Sequence, residues 1–261
     1  MLSTNDRGVG EAIVMVPSLG RSGSDFDDLA ERLVAAGFRA ITVDPRGVRD
    51  SEPAEPSEPA EPAAESADPN RKLTLHDYAS DVADVIEKLD AAPAIVLGHA
   101  FGNRVARSTA ADCPDLVRAV VLLACGGLIP PADEVLAAMG RILDTTTPTD
   151  ELDDALRTAF FAPGNDATVW RDGWYPEAAQ TEARAVRATP VDDWWDAGTA
   201  PVLVVQGLQD TFAVPENGRA LRAAFPDRVT LIELDRAGHA LLPEVPEQLA
   251  AAVIDYLHAL P

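Results

Sequence analysis

Cysteine is nearly missing from this 261-residue chain: Cys113 and Cys125 are the only two, too few for a disulfide framework. Long apolar runs are missing too, since none approaches the ~20 residues that span a bilayer. The opening M-L-S-T-N-D-R lacks the basic region and following apolar stretch of an export leader, which makes a soluble, cytoplasmic protein the expectation. Positive charge is scarce: 21 Lys and Arg stand against 43 Asp and Glu, a formal charge of -22. The resulting field repels phosphate backbones and anionic membrane surfaces, which argues against nucleic-acid and membrane partners. No cluster of His, Cys, Asp and Glu carries metal-ligand spacing. What is present is 47% hydrophobic residues, enough for one large core with a small inserted subdomain.

The most consequential absence is a single hydroxyl. Residues 94–103 read A-I-V-L-G-H-A-F-G-N, where a short apolar run stops at Gly98 and a helix-like segment starts after Gly102. With serine in place of Ala100 this would be G-x-S-x-G, the strand-turn-helix corner that holds a nucleophile in a strained backbone conformation. A Cβ at 98 or 102 would press on the strand or helix that the tight turn brings close, so the two glycines have a physical reason. Alanine needs no such corner, because a methyl group can neither attack a carbonyl nor use a base. Either a serine has been replaced here, as is done to trap a bound substrate, or the chain is a natural form that lost hydrolysis.

Around this corner the chain alternates apolar runs with helical stripes. Residues 13–16, I-V-M-V, read as a strand running into the loop P-S-L-G-R-S-G-S-D-F, and residues 40–43 form a second buried strand. Between them Phe26, Leu29, Leu33 and Val34 make a helical stripe ended by Gly37. Residues 52–69 are a Pro/Glu repeat; prolines at 53, 56, 59 and 62 favour polyproline II, with Glu52, Glu55, Glu58 and Glu61 along one side. An exposed, irregular and dispensable insertion is expected there. From Thr74, an N-cap, residues Leu75, Tyr78, Val82, Val85, Ile86 and Leu89 share one helical face, and His76 reads as a surface or capping histidine. Residues 117–124, 201–206 and 229–234 are further strands, and a terminal helix runs through Tyr256.

In combination the motifs resemble the α/β-hydrolases, from Ile13 to Leu257. Besides the elbow, D-P-R-G-V-R-D-S after the second strand is similar to that family's D-x-R-G-x-G-x-S segment. A-C-G-G at residues 124–127 offers no carboxylate, and G-L-Q-D-T-F-A-V-P at residues 207–215 resembles the loop that carries the acid, which nominates Asp210. D-R-A-G-H-A matches the catalytic-histidine loop and nominates His239. Pro17-Ser18 stands where the family often has His-Gly, leaving the amides of Leu19 and Phe101 as oxyanion donors and Ser18 as a ligand contact.

The resemblance implies an α/β fold with a mostly parallel sheet of about six strands flanked by helices, its opening antiparallel hairpin reduced or absent. Residues 1–127 and 200–261 would form the core, and residues 128–199 a helical cap inserted before the penultimate strand. All four tryptophans, Trp170, Trp174, Trp194 and Trp195, fall in that insertion. Trp170, Trp174 and Trp194 are therefore expected to wall an apolar pocket. The activity implied is cofactor-free serine hydrolysis of a bulky apolar or aromatic carboxylic ester or lactone, here in a nucleophile-less, substrate-trapping form. The alternative is a natural non-catalytic small-molecule binding protein on the same fold. Epoxide hydrolases and haloalkane dehalogenases are disfavoured, because they need a carboxylate at the elbow.

Overall fold

The strands β2 (Ala12–Val16), β4 (Ala94–His99) and β6 (Val202–Gly207) are buried along their whole length. Their unbroken apolar runs suit a sheet covered by helices on both faces. In this computed structural model, which describes residues 2–51 and 72–260, they lie in one sheet with β3 (Arg39–Asp44), β5 (Val117–Leu123) and β7 (Val229–Leu234). With an edge strand β1 (Ser3–Arg7), the strand order is β1-β3-β2-β4-β5-β6-β7, parallel from β3 to β7.

The sheet meets the expected count of about six with one strand more, at its edge. β1 pairs antiparallel with β3, from Ser3 opposite Asp44 to Arg7 opposite Ala40. Its sequence, S-T-N-D-R, has no apolar alternation, because an edge strand is held by backbone pairing and by charges such as the Arg39–Asp6 ion pair. The opening hairpin is thus reduced to one short polar strand. The Pro/Glu repeat of residues 52–69 lies outside the described residues.

Helices α1 (Asp27–Ala35) and α9 (Pro246–His258) pack together on one face of the sheet. On the other lie α2 (Leu75–Lys88) and α3 (Phe101–Asp112). Thr74 starts α2, with Asp77 accepting from its backbone N–H at 2.8 Å. His76 is partly exposed beside Asp112, as a surface histidine would be. Between β5 and β6 the chain leaves the sheet to form α4 (Asp133–Leu143), α5 (Thr149–Ala159) and α6 (Pro176–Ala188); α4 and α5 share a cluster around Phe160 and Trp170, whereas Ala185 of α6 joins the cluster of α2 and α3. After β6 and before β7 comes α7 (Glu216–Ala224), and a short α8 (Leu241–Glu244) precedes α9. Among the described residues no helix is long and apolar enough to cross a membrane.

Candidate active site

The elbow keeps its strained geometry although its residue is alanine. Ala100 sits at φ 50, ψ -101 between the end of β4 and the start of α3, a region that costs an L-residue on the order of 1–3 kcal/mol. The turn is tight enough that a Cβ on Gly98 would lie 2.1 Å from the Gly102 carbonyl oxygen, and one on Gly102 2.0 Å from the Val16 carbonyl oxygen. Gly102→Ala is therefore expected to lower stability to urea by more than about 3 kcal/mol. Gly126→Ala, whose nearest contact would be 3.4 Å away, serves as the near-neutral control. Equal midpoints for the two variants would contradict this reading of the turn.

Asp210 and His239 meet at the same end of the sheet, on the loops after β6 and β7. The buried His239 Nδ1 lies 3.0 Å from Asp210 Oδ2 and 3.2 Å from Oδ1. Asp210 Oδ1 accepts from the amides of Phe212 and Ala213 at 2.9 and 2.7 Å, and Gln206 Nε2 donates to Oδ2 at 3.2 Å. These donors hold the carboxylate as an acceptor and so favour Nδ1–H on His239. The backbone of the histidine loop is pinned as well: His239 N and Ala240 N both donate to the Phe160 carbonyl, at 2.8 and 3.0 Å.

His99, which the sequence did not nominate, supports the same loop from below. Its Nε2 donates to the His239 carbonyl at 2.8 Å, and burial followed by repulsion from His239 pushes its pKa down to about 3. It is a neutral strut. The signal was its place before the elbow residue.

Neither the amide of Leu19 nor that of Phe101, the residue after Ala100, has a hydrogen-bond acceptor among the described residues. Both residues line the same cavity as Ala100 and His239. The loop carrying Leu19 is fixed through the next residue. Gly20 N donates to Glu182 Oε2 at 2.7 Å, and the Gly20 carbonyl accepts from Tyr175 N at 2.9 Å. Glu182, on α6, is fully buried, and burial raises its pKa from 4.5 to about 8 against the opposing pull of the Gly20 bond.

A carboxyl whose folded pKa lies above its unfolded value gives stability that is complete below the unfolded pKa. That stability is lost as pH rises through the folded one. Stability should therefore fall between pH 4.5 and 8, with Glu182 contributing on the order of 1 kcal/mol per pH unit crossed. Glu182→Gln should flatten that slope and leave the variant more stable than its parent at pH 9. Parallel pH profiles of urea-unfolding free energy for the two proteins would contradict the assignment.

The cavity over Ala100 encloses about 400 Å³, toward the small end of ligand pockets. Ser18 contributes to its wall. The apolar remainder comes from Leu128, Ile129, Pro130, Met139, Phe160 and Phe212. No tryptophan is among the described residues that line it, contrary to the expected wall of Trp170, Trp174 and Trp194. Trp170 and Trp174 pack against Phe160 and take the Arg21 guanidinium over their rings at 4.9 and 4.7 Å. Trp194 is buried over Arg107, 4.5 Å from guanidinium carbon to ring centre. The tryptophans stand one layer behind the cavity and brace Phe160 and the 126–127 loop. Asn217, also missed, seats the wall: its Oδ1 accepts from Leu128 N and Ile129 N at 2.9 and 2.8 Å. Among the described residues no group of three or more His, Cys, Asp or Glu is placed to hold a metal.

Comparison with known proteins agrees with this architecture. A Mycobacterium tuberculosis protein named "Putative non-heme bromoperoxidase BpoC" is 26% identical over 273 residues, covering 98% of this chain and 97% of its own. A crystal structure of that protein superposes with a TM-score of 0.79 at 23% identity, over 100% of this chain and 97% of the other. A thermophilic esterase from Thermogutta terrifontis gives 0.77 at 20% identity, covering 99% and 93% of the two chains. The enol-lactonase from Burkholderia xenovorans gives 0.75 at 23% identity, over 98% and 96%. At these identities the structural likenesses show the fold alone. The model of the alpha/beta hydrolase family, however, matches residues 13–252, and the chain belongs to that family.

Proposed function

We propose that the site is built for acyl hydrolysis of a carboxylic ester or lactone, with position 100 as the seat of the nucleophile. As written, the chain holds such a substrate without turning it over. The observation that carries the reading is the conjunction of a strained Ala100 with a hydrogen-bonded His239–Asp210 pair beside one cavity. An alanine corner aimed at a buried acid–histidine pair has no packing purpose that an ordinary turn would not serve at less strain.

With serine at 100, His239 Nε2 takes the hydroxyl proton as Oγ attacks the carbonyl carbon, and Asp210 holds the imidazole with Nδ1–H directed at its carboxylate. The amides of Leu19 and Phe101 donate to the tetrahedral oxyanion, each worth about 3 kcal/mol in the transition state. The alcohol leaves with the proton from His239; water then adds to the acyl-enzyme by the same relay and releases the acid. No cofactor takes part. Leu128, Ile129, Phe160 and Phe212 would receive the apolar body of the substrate, and Trp170, Trp174 and Trp194 act through Phe160 and the 126–127 loop.

Ala100 itself favours a second reading, a natural binding protein that kept the cavity and lost the chemistry. The test is a panel of aryl esters, aliphatic esters and aromatic lactones presented to folded Ala100→Ser. Hydrolysis of at least one is expected; failure on all of them replaces the hydrolase reading with the binding protein.

A further inference from the structure

Arg104 is the one cation that lines the active-site cavity among the described residues. It lies four positions past Ala100 on α3, one helical turn away. Among the described residues its guanidinium has neither a hydrogen bond nor an ion pair, and its Nε is buried without an acceptor. One Nη lies 3.6 Å from where a Cβ on Gly126 would be, beside another lining residue. Arg104 is only partly exposed, and burying an unpaired charge is costly.

The neighbouring groups do not account for it. Arg107, one turn further along, has its own acceptors: Asn103 Oδ1 and the Gly126 carbonyl, each at 2.7 Å from Nη2. Asp210 is committed to His239, Gln206 and two backbone amides. Trp194 lies 5.8 Å from the Arg104 guanidinium carbon, near the outer limit of a cation–π contact. Burial and then the adjacent Arg107 lower the Arg104 pKa to about 10, which leaves it charged at neutral pH. A partly exposed planar cation with unfilled donors on the wall of a largely apolar cavity suits a carboxylate.

We infer that the cavity takes an acyl compound bearing a carboxylate, a half-ester of a short dicarboxylic acid or a lactone carrying one, with Arg104 binding that carboxylate. This rests on the acyl-hydrolase reading and names its substrate class. With the ester carbonyl over residue 100 and Arg104 one turn away, the two groups are separated by about two to four carbons. The apolar wall of Leu128, Ile129 and Met139 covers the carbon spacer.

The unaltered chain permits a direct test, because it binds without turnover. Calorimetric titration with methyl hydrogen glutarate and with the uncharged, near-isosteric methyl pentanoate is expected to show about ten- to a hundredfold tighter binding of the anion. Arg104→Met should abolish the preference and Arg104→Lys keep part of it, each checked for folding by circular dichroism. Equal affinity for the two ligands, no binding by either, or an undiminished preference in folded Arg104→Met overturns the proposal. The ligand pair decides it in the parent chain even if a substitution prevents folding. The hydrolase reading fails on a different result: no turnover of either charged or neutral aryl esters by Ala100→Ser. Turnover of neutral esters with no gain for the charged ones removes Arg104's role and leaves that reading standing.

Discussion

Ala100→Ser is expected to take ester hydrolysis from the uncatalysed background to enzymatic turnover, a gain of about a millionfold in kcat. The size follows from what is already in place. The backbone at 100 holds the strained φ of an elbow, the amides of Leu19 and Phe101 lack acceptors among the described residues, and His239 is oriented by Asp210. Alanine already carries a Cβ at that strained φ, so serine adds one oxygen on the cavity side and no new backbone cost. Unfolding free energy should change by less than about 0.5 kcal/mol. Initial rates with p-nitrophenyl esters, parent against variant, read the effect; a rise below tenfold in a folded variant would show that the corner no longer serves attack.

Asp210→Asn in the Ala100→Ser background should lower kcat about ten-thousandfold with little change in KM. The carboxylate accepts on both oxygens: Oδ1 from two backbone amides and Oδ2 from Gln206 and His239. An asparagine cannot match that pattern. With its NH2 toward Phe212 N and Ala213 N, donors face donors; with its NH2 toward His239, Nδ1 must accept. The imidazole then carries its proton on Nε2, where the hydroxyl proton has to go. Steady-state kinetics of the double variant check this, and a loss under tenfold would mean that His239 is oriented by other contacts.

The candidate site was legible in outline because its physical demands are local. Gly98 and Gly102 stand where no Cβ fits, and Asp210 and His239 each follow a strand that is easy to read from its apolar run. What escaped the sequence depends on which way a side chain faces after folding. Four tryptophans in one insertion marked where large apolar mass lies, yet Trp170 and Trp194 turn to Phe160 and Arg107 and leave the cavity to smaller residues. Glu182 sits in P-E-A-A-Q-T-E-A-R-A, which reads as an ordinary solvated helix; only the approach of Gly20 makes it a buried latch. Nothing in the sequence marks Arg104 as facing the cavity, and β1 had no apolar pattern to announce it.

The central claim, that position 100 is the seat of a nucleophile, is tested most directly by intact-protein and peptide mass spectrometry of rapidly quenched Ala100→Ser after mixing with a p-nitrophenyl ester. The account predicts an added mass equal to one acyl group, carried by the peptide containing residue 100 and missing from the identically treated parent. A folded Ala100→Ser protein that shows no such adduct, or shows it equally in the parent, would contradict the account.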